Sequence, residues 1–254
     1  MAYDLKQASV TGPRDEIFML VHGSAGVGKT TLAAAIPNCF FIRTEDGTGV
    51  HEVPTYPIAT TYDEIMEQLV SFDSSHSYKA LVIDSIDHLE PLIWQKTCSE
   101  NGWKDIEAPG YGKGYIAAMV YWRQIISLLN KIREAKKMHI VLIAHNELKP
   151  FRDPELEPVD AYFIKLQKHA SAFVKESCDA VLYAKQKIVV VKDSEGFNKT
   201  RARGKTTGVR VLMTQPHPGY EAKNRYGLPA ELPLEWNSLI EAIKQPKKEE
   251  QAHA

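Results

Sequence analysis

The sequence predicts an α/β fold, with a largely parallel central sheet flanked by helices and an antiparallel, β-rich C-terminal extension. Three observations carry this. The apolar run IFMLVH (17–22) feeds a glycine-rich turn and then an alanine-rich helix that stops at Pro37. Two further short apolar runs, CFFI (39–42) and ALVI (80–83), each lead into polar and acidic residues, with helical patterns between them. Late in the chain AVLYA, KIVVV and VRVLM follow one another with no helical stretch in between.

The length of 254 residues, with 44% hydrophobic and 25% charged side chains, suits one domain with one sizeable core. The expected division is an N-terminal segment 1–16, a main domain 17–244 and a disordered tail 245–254. No run of about 18 apolar residues offers a membrane span, and the N-terminus lacks the apolar stretch of a signal peptide, so a cytoplasmic location is expected. Cys39, Cys98 and Cys178 are widely spaced and odd in number, which suggests buried thiols rather than a disulfide framework or a zinc knuckle. The net charge of −1 conceals a local excess: residues 185–210 carry eight Lys or Arg against two acids. Such a run can hold phosphates through counterion release, or it can be a solvated hairpin.

Taken in order, the first element is a strand ending at Gly23. The stretch GSAGVGKTT fits the P-loop pattern G-x-x-x-x-G-K-[ST] with Gly23, Gly28, Lys29 and Thr30, and Gly26 adds a third glycine. Gly23, Ser24, Ala25, Gly26, Val27, Gly28, Lys29, Thr30 and Thr31 are the expected nucleotide-binding residues. Glycines let backbone N–H groups turn inward around phosphates, the helix N-terminus adds its dipole, and Lys29 reaches the outer phosphates. The Thr30 hydroxyl is placed to ligate Mg2+, with ATP as the nucleotide. The strand KALVID supplies a carboxylate, Asp84, at its end, as a Walker B motif does, to hold the metal through water. Ser85 and Asp87 follow at the strand-to-helix turn, with Asp87 either a helix cap or a catalytic group.

Between these motifs the strand 39–42 exits into Thr44, Glu45 and Asp46. Thr61 with Glu64 reads as a capping box opening a helix, and SIDHLEPLIWQKTC reads as an amphipathic helix. The loop 100–115 mixes Trp103, Tyr111 and Tyr115 with Lys104 and Lys113, the rings and cations that a single-strand-binding loop uses, although a plain surface loop has the same look. A long helix over 116–136 leads into a strand, His139 to Ala144, with His145 and Asn146 at its tip. The stretch 148–168 is proline-rich and mixed in charge, KHASAFVKESCD is helical, and two strands precede the basic segment FNKTRARGKTTG. Lys199, Arg201, Arg203 and Lys205 in that segment join Lys104, Tyr111 and Lys113 as candidate nucleic-acid residues. EAKNRYGLP (221–229) sets Lys223 and Arg225 two residues apart.

The ordered series GSAGVGKTT, RTEDG, LVIDS, GYGKGY, LIAHNE and EAKNRYGLP resembles the short RecA-like ATPases encoded by bacteriophages, in the AAA-type ATP-binding family that includes Sak-type single-strand-annealing recombinases. The resemblance covers roughly Phe18 to Leu232. It implies a RecA-like P-loop core, and the strand order is taken from it. It implies that Glu45 activates water, with Asp46 as competitor, because Ser85 occupies the position after Asp84 where many P-loop ATPases carry that glutamate. It implies that His145 senses the γ-phosphate. Lys-x-Arg-x-Gly resembles the motif with which RecA/DnaB-type ATPases insert a lysine and an arginine into the neighbouring subunit's site, so Lys223 and Arg225 imply a homo-oligomeric ring or filament. The activity implied is ATP hydrolysis coupled to single-stranded DNA, in annealing or strand exchange alongside a single-strand-binding protein, in the host cytoplasm. His145 departs from RecA, which carries an amide there, and residues 101–115 and 148–167 do not align with RecA's DNA loops.

Three other readings compete. A ring helicase-like motor or loader ATPase would use the same finger and sensor. A small-molecule P-loop kinase would need a lid with arginines and an acceptor pocket, and neither is identifiable. A non-hydrolysing switch is disfavoured by Glu45.

Overall fold

The computed structural model describes residues 15–47, 49–152, 157–195 and 199–245, with backbone alone over 189–206. The elements in chain order are β1 (Phe18–Gly23), α1 (Lys29–Ala34), β2 (Cys39–Arg43), α2 (Tyr62–Val70), β3 (Ala80–Asp84), α3 (Ile86–Asn101), α4 (Lys113–Lys136) and β4 (His139–Phe151). They continue with β5 (Val159–Ile164), α5 (Lys168–Ser177), β6 (Ala180–Glu195), β7 (Lys199–Met213), β8 (Lys223–Asn224), β9 (Glu231–Pro233) and α6 (Trp236–Lys244).

One sheet runs in the order β2-β3-β4-β1-β6-β7-β9, with β5 on β4 and β8 on β6. The five strands from β2 to β6 pair in parallel, and the later pairings β6–β7, β6–β8 and β7–β9 are antiparallel, as is β4–β5. The fold class read from the sequence is therefore the one found. β1, β2, β3 and the first half of β4 are almost wholly apolar without alternation, and both faces of the sheet there are covered. Phe18, Leu20, Phe40, Ile42, Leu81 and Ile83 pack under α2, α3, α4 and α5. The odd partners Met19, Val21, Phe41, Val82, Val141 and Ile143 face α1 and α6 through Leu32, Trp236 and Leu239. No helix among the described residues is long and apolar enough to cross a membrane.

Several local expectations change. The capping box is shifted: Thr61 Oγ1 accepts from Glu64 N at 3.2 Å, but the Glu64 carboxylate accepts from Thr60 N at 2.7 Å rather than from Thr61. The proline-rich 148–168 stretch, to which the sequence reading assigns no element, holds strand: β4 runs on to Phe151 and pairs antiparallel with β5, Asn146 facing Ile164 and Phe151 facing Val159. AVLYA and KIVVV form one strand, β6, whose register slips between Gln186 and Ile188. Trp94 meets Tyr115, and Tyr121 Oη donates to Glu100, so α3 and α4 run side by side in the same direction and the 102–112 loop folds back along them. A Cβ on Gly114 would stand 1.9 Å from the Ile106 carbonyl oxygen, so the loop docks where α4 has no side chain.

Candidate nucleotide site

Register brings the tips of four parallel strands together. Gly23 of β1 is level with His145 of β4, and Asp84 of β3 is level with Arg43 of β2 and Ile143 of β4. Glu45 and His145 therefore both stand two residues beyond Asp84 on flanking strands, and His145 Nδ1 lies 3.9 Å from Glu45 Oε1. Thr44 fastens β2 to the turn after β3: its N donates to Asp84 O at 2.9 Å, its hydroxyl donates to Ser85 O at 2.6 Å, and Ser85 N donates back to that hydroxyl at 3.0 Å. The Asp84–Ser85 peptide bond is cis.

The loop after β1 turns through Gly26 and Gly28, both at positive φ, where a side chain would be strained. A Cβ on Gly23 would come within 2.4 Å of Ala184 O, so glycine there also follows from the close approach of β6. Lys29 opens α1, and its ammonium curls back to donate to Gly23 O at 2.9 Å and Ser24 O at 3.1 Å. Burial lowers its pKa, opposed by the carboxylates of Asp84, Asp87 and Glu45. Thr30 Oγ1 donates to Asp84 Oδ2 at 2.9 Å, and Asp84 is only 3% exposed. Burial raises the Asp84 carboxyl against the pull of that hydrogen bond. A buried ammonium satisfied only by neutral carbonyls, beside a hydroxyl–carboxylate pair with a buried acid, is a donor set that fits phosphate oxygens and a hard divalent cation.

Asp87, left open as cap or catalyst, holds the sensor candidate. Its carboxylate accepts from His145 N at 3.0 Å and lies 3.1 Å from His145 Nδ1. Burial would raise the Asp87 carboxyl, but the hydrogen bonds from the His145 side chain and backbone, its charge, and one from Ser85 outweigh it and bring it down to about 2. His88, which the sequence reading passed over, lies one helical turn beyond Asp84 with Nδ1 3.4 Å from Glu45 Oε1 and 2.9 Å from Ser85 Oγ. Glu45, His88 and His145 each offer one ligand atom within 4.8 Å of the others, a nitrogen-rich set distinct in chemistry from the oxygen pair Thr30 and Asp84. Asp46 instead pairs with Arg43 at 3.6 Å and points to solvent.

Two more residues were missed. His51 Nε2 stands 3.1 Å from Thr31 Oγ1. Arg210, on β7, lines the same cavity of about 430 Å³, and its Nη1 would be 3.0 Å from a Cβ on Gly28. The i+4 spacing from Asp84 could have pointed to His88, whereas Arg210 is local to the loop only because β7 folds back beside β6. Of the candidate nucleic-acid residues, Tyr111 is fully exposed at φ 50°, and Lys104 and Lys113 are exposed as well. Tyr115 packs on Trp94 and donates to Glu107, so it is not a free ring. Lys199, Arg201, Arg203 and Lys205 take alternate register positions on β7, opposite Glu195, Asp193, Val191 and Val189, and their side chains lie outside the described residues.

Lys223 and Arg225 both turn to the C-terminal end of α5. Lys223 Nζ donates to the carbonyls of Lys175, Glu176 and Cys178 at 2.7–3.0 Å, and burial first, then Arg225, lowers its pKa. Arg225 is held only at 3.5 Å, by Asp179 Oδ1 and Glu176 O.

The model of the AAA domain family AAA_24 matches residues 15–226, a span that takes in every strand tip described above. The chain belongs to this family. Among solved structures, a crystal structure of the RadB recombinase is similar at 16% identity over 78% of this chain and 79% of that one, with a TM-score of 0.44. No curated protein matches. This AAA domain is a P-loop protein whose loop, acidic strand end and third strand tip share one cavity.

Proposed function

We propose that this AAA domain binds and hydrolyses ATP with Mg2+ and acts on single-stranded DNA, in phage-type recombination or annealing beside a single-strand-binding protein, with its sites completed between protomers. The observation that carries the reading is the convergence of Lys29, Thr30, Asp84, Glu45 and His145 on one cavity. In it Lys29 leaves its carbonyls for the outer phosphates. Thr30 and Asp84 would hold a divalent ion, Asp84 through water, and the ion would neutralise charge on the phosphates. Glu45 orients and deprotonates the attacking water, and His145, fixed by Asp87, reads the γ-phosphate. Arg210 of β7 adds a cation to this cavity, beside Gly28 of the loop.

No arginine of the same chain faces the γ-phosphate end from the EAKNRYG segment. Arg225 N donates to Asp179 O, just before β6 begins, while Gly23 is level with Ala184 at the other end of that stretch. Five residues of strand separate the two levels by roughly 16 Å. Arg225 is therefore proposed to serve a neighbour's phosphates, with Lys223 fastening its segment to α5. Tyr111, Lys104, Lys113 and the basic β7 positions are proposed to contact the strand.

The deciding experiment is ATP turnover by the purified protein with and without single-stranded DNA, duplex DNA and RNA at two salt concentrations. The reading expects stimulation by single-stranded DNA that fades as salt rises. Turnover indifferent to every nucleic acid would remove the DNA part of it.

A further inference from the structure

A second cavity, of about 650 Å³, flanks the P-loop on the side away from Lys29, Thr30 and Asp84. Its floor is a ladder of rings drawn from three places in the chain. Tyr162 of β5 lies 5.5 Å from Tyr183 of β6, Tyr183 lies 4.9 Å from Tyr220, and Tyr220 lies 4.9 Å from His217, with interplanar angles of 24°, 24° and 12°. Backbone bonds hold these places together: Tyr162 N donates to Gly219 O, Glu221 N to Tyr162 O, and Tyr220 N to His217 O. Tyr183 is buried, but both ends of the ladder reach solvent, Tyr162 at 39% exposure and His217 exposed.

Charge in the cavity matches a flat anion. Lys185 Nζ sits 5.7 Å from the Tyr220 ring centre, while Lys187 is already paired with Glu231, so Lys185 is the cation that the described lining leaves over. Beyond Ile188 the β6 strand runs on as one arm of the β6–β7 pair, in which Lys199, Arg201, Arg203 and Lys205 take alternate register positions on β7. Rings at stacking distance and an unpaired ammonium beside them are the ingredients of a site that takes a base by stacking and its phosphate by charge. The nucleotide's own phosphates have their donors on the other side of the loop, and only Ala25 and Gly26 line both cavities together with the loop's turn.

We propose that the Tyr162–Tyr183–Tyr220–His217 ladder is a base-stacking site that takes a nucleobase of a single strand, with Lys185 on its phosphate. This rests on the single-strand reading above and gives that reading a place on the molecule. A free nucleotide offers the same base and phosphate, so the test must separate the two sources.

The probes are a fluorescein-labelled oligo-dT, read by anisotropy, and mant-ADP, read by fluorescence, on wild type and on His217→Ala, His217→Phe and Tyr162→Ala. His217 Nδ1 accepts from Gly219 N, so thermal unfolding of each variant checks that the turn survives, and Tyr162→Ala probes the other end of the ladder without touching it. Expected are oligo-dT binding about tenfold weaker in both alanine variants, near wild-type binding in His217→Phe, and unchanged mant-ADP binding. Strand binding unaffected by both alanine variants overturns the ladder site and leaves the single-strand reading standing. Wild type that binds no strand at all overturns both. Weakened mant-ADP with intact strand binding overturns the proposal by giving the groove to the free nucleotide.

Discussion

Position rather than type favours Glu45 for the proposed water-activating role, because Asp46 beside it is turned away to Arg43 while Glu45 meets His88 and His145. Glu45→Gln is expected to keep ATP binding and lose turnover by about 100-fold or more, the usual worth of a general base. A normal rate in that variant would take water activation away from Glu45. His22, directly before Gly23, carries a different expectation. It is fully buried, Nε2 donates to Glu221 O at 2.8 Å, and Nδ1 has no partner. Burial brings its pKa down from 6.5 to about 4 against the support of that hydrogen bond. The folded state thus binds fewer protons than the unfolded chain in this window, so His22 contributes its full share above about 6.5 and loses it as pH falls towards 4, by roughly 3 kcal/mol. Glu90 works the other way, since burial raises its carboxyl to about 7 against the hydrogen bond from Gln167 N, and its share is lost as pH rises through that value. The measurable quantity is the difference in urea stability between wild type and His22→Gln at pH 7.5 and pH 5. A difference that does not shrink on acidification would place the acid sensitivity elsewhere.

Among the elements, the start of β6 is a junction. Asp179 receives the buried Arg133 of α4 at 2.5 Å, the Tyr226 hydroxyl at 3.1 Å and Arg225, while Arg133 also donates to Glu16 O. Arg133→Ala leaves Asp179 without its main partner and is expected to cost about 3–5 kcal/mol in chemical unfolding, with the EAKNRYG segment loosened towards proteolysis. A loss under about 1 kcal/mol would show that Tyr226 and Arg225 suffice. The elements also show where the sequence was readable. β1, β2 and β3 are apolar apart from His22 until they end in Gly23, Arg43 and Asp84, so both the strands and the chemistry at their tips could be read from composition alone. The β4–β5 hairpin was not, because Pro150 and alternating charge disguise the outer half of β4, which is largely exposed and pairs with β5. β6 read as two strands because KQK interrupts its apolar pattern where the register slips. His88, His51 and Arg210 escaped for another reason: nothing in their neighbours along the chain marks them, and only the folded sheet brings them to the loop.

At the scale of the molecule, the parallel strands collect the P-loop, Asp84, Glu45 and His145 at one end of the sheet, while β8 carries Arg225 towards the other. On the reading proposed above, a finger at that end would act on another copy. Arg225→Ala is expected to lose turnover alone and to regain part of it when mixed with Lys29→Ala, since mixed interfaces pair an intact loop with an intact finger. Measuring turnover across mixing ratios checks this, and a strictly additive response would count against a site shared between protomers. Finally, Ala25 and Gly26 form a wall common to the phosphate cavity and the ring-lined groove. Two ligands that press on one backbone segment from opposite sides are thermodynamically bound to each other: whatever factor nucleotide imposes on the affinity of the groove, the occupant of the groove must impose on nucleotide. A shift of Ala25 and Gly26 on filling either cavity would be the physical carrier of such a coupling.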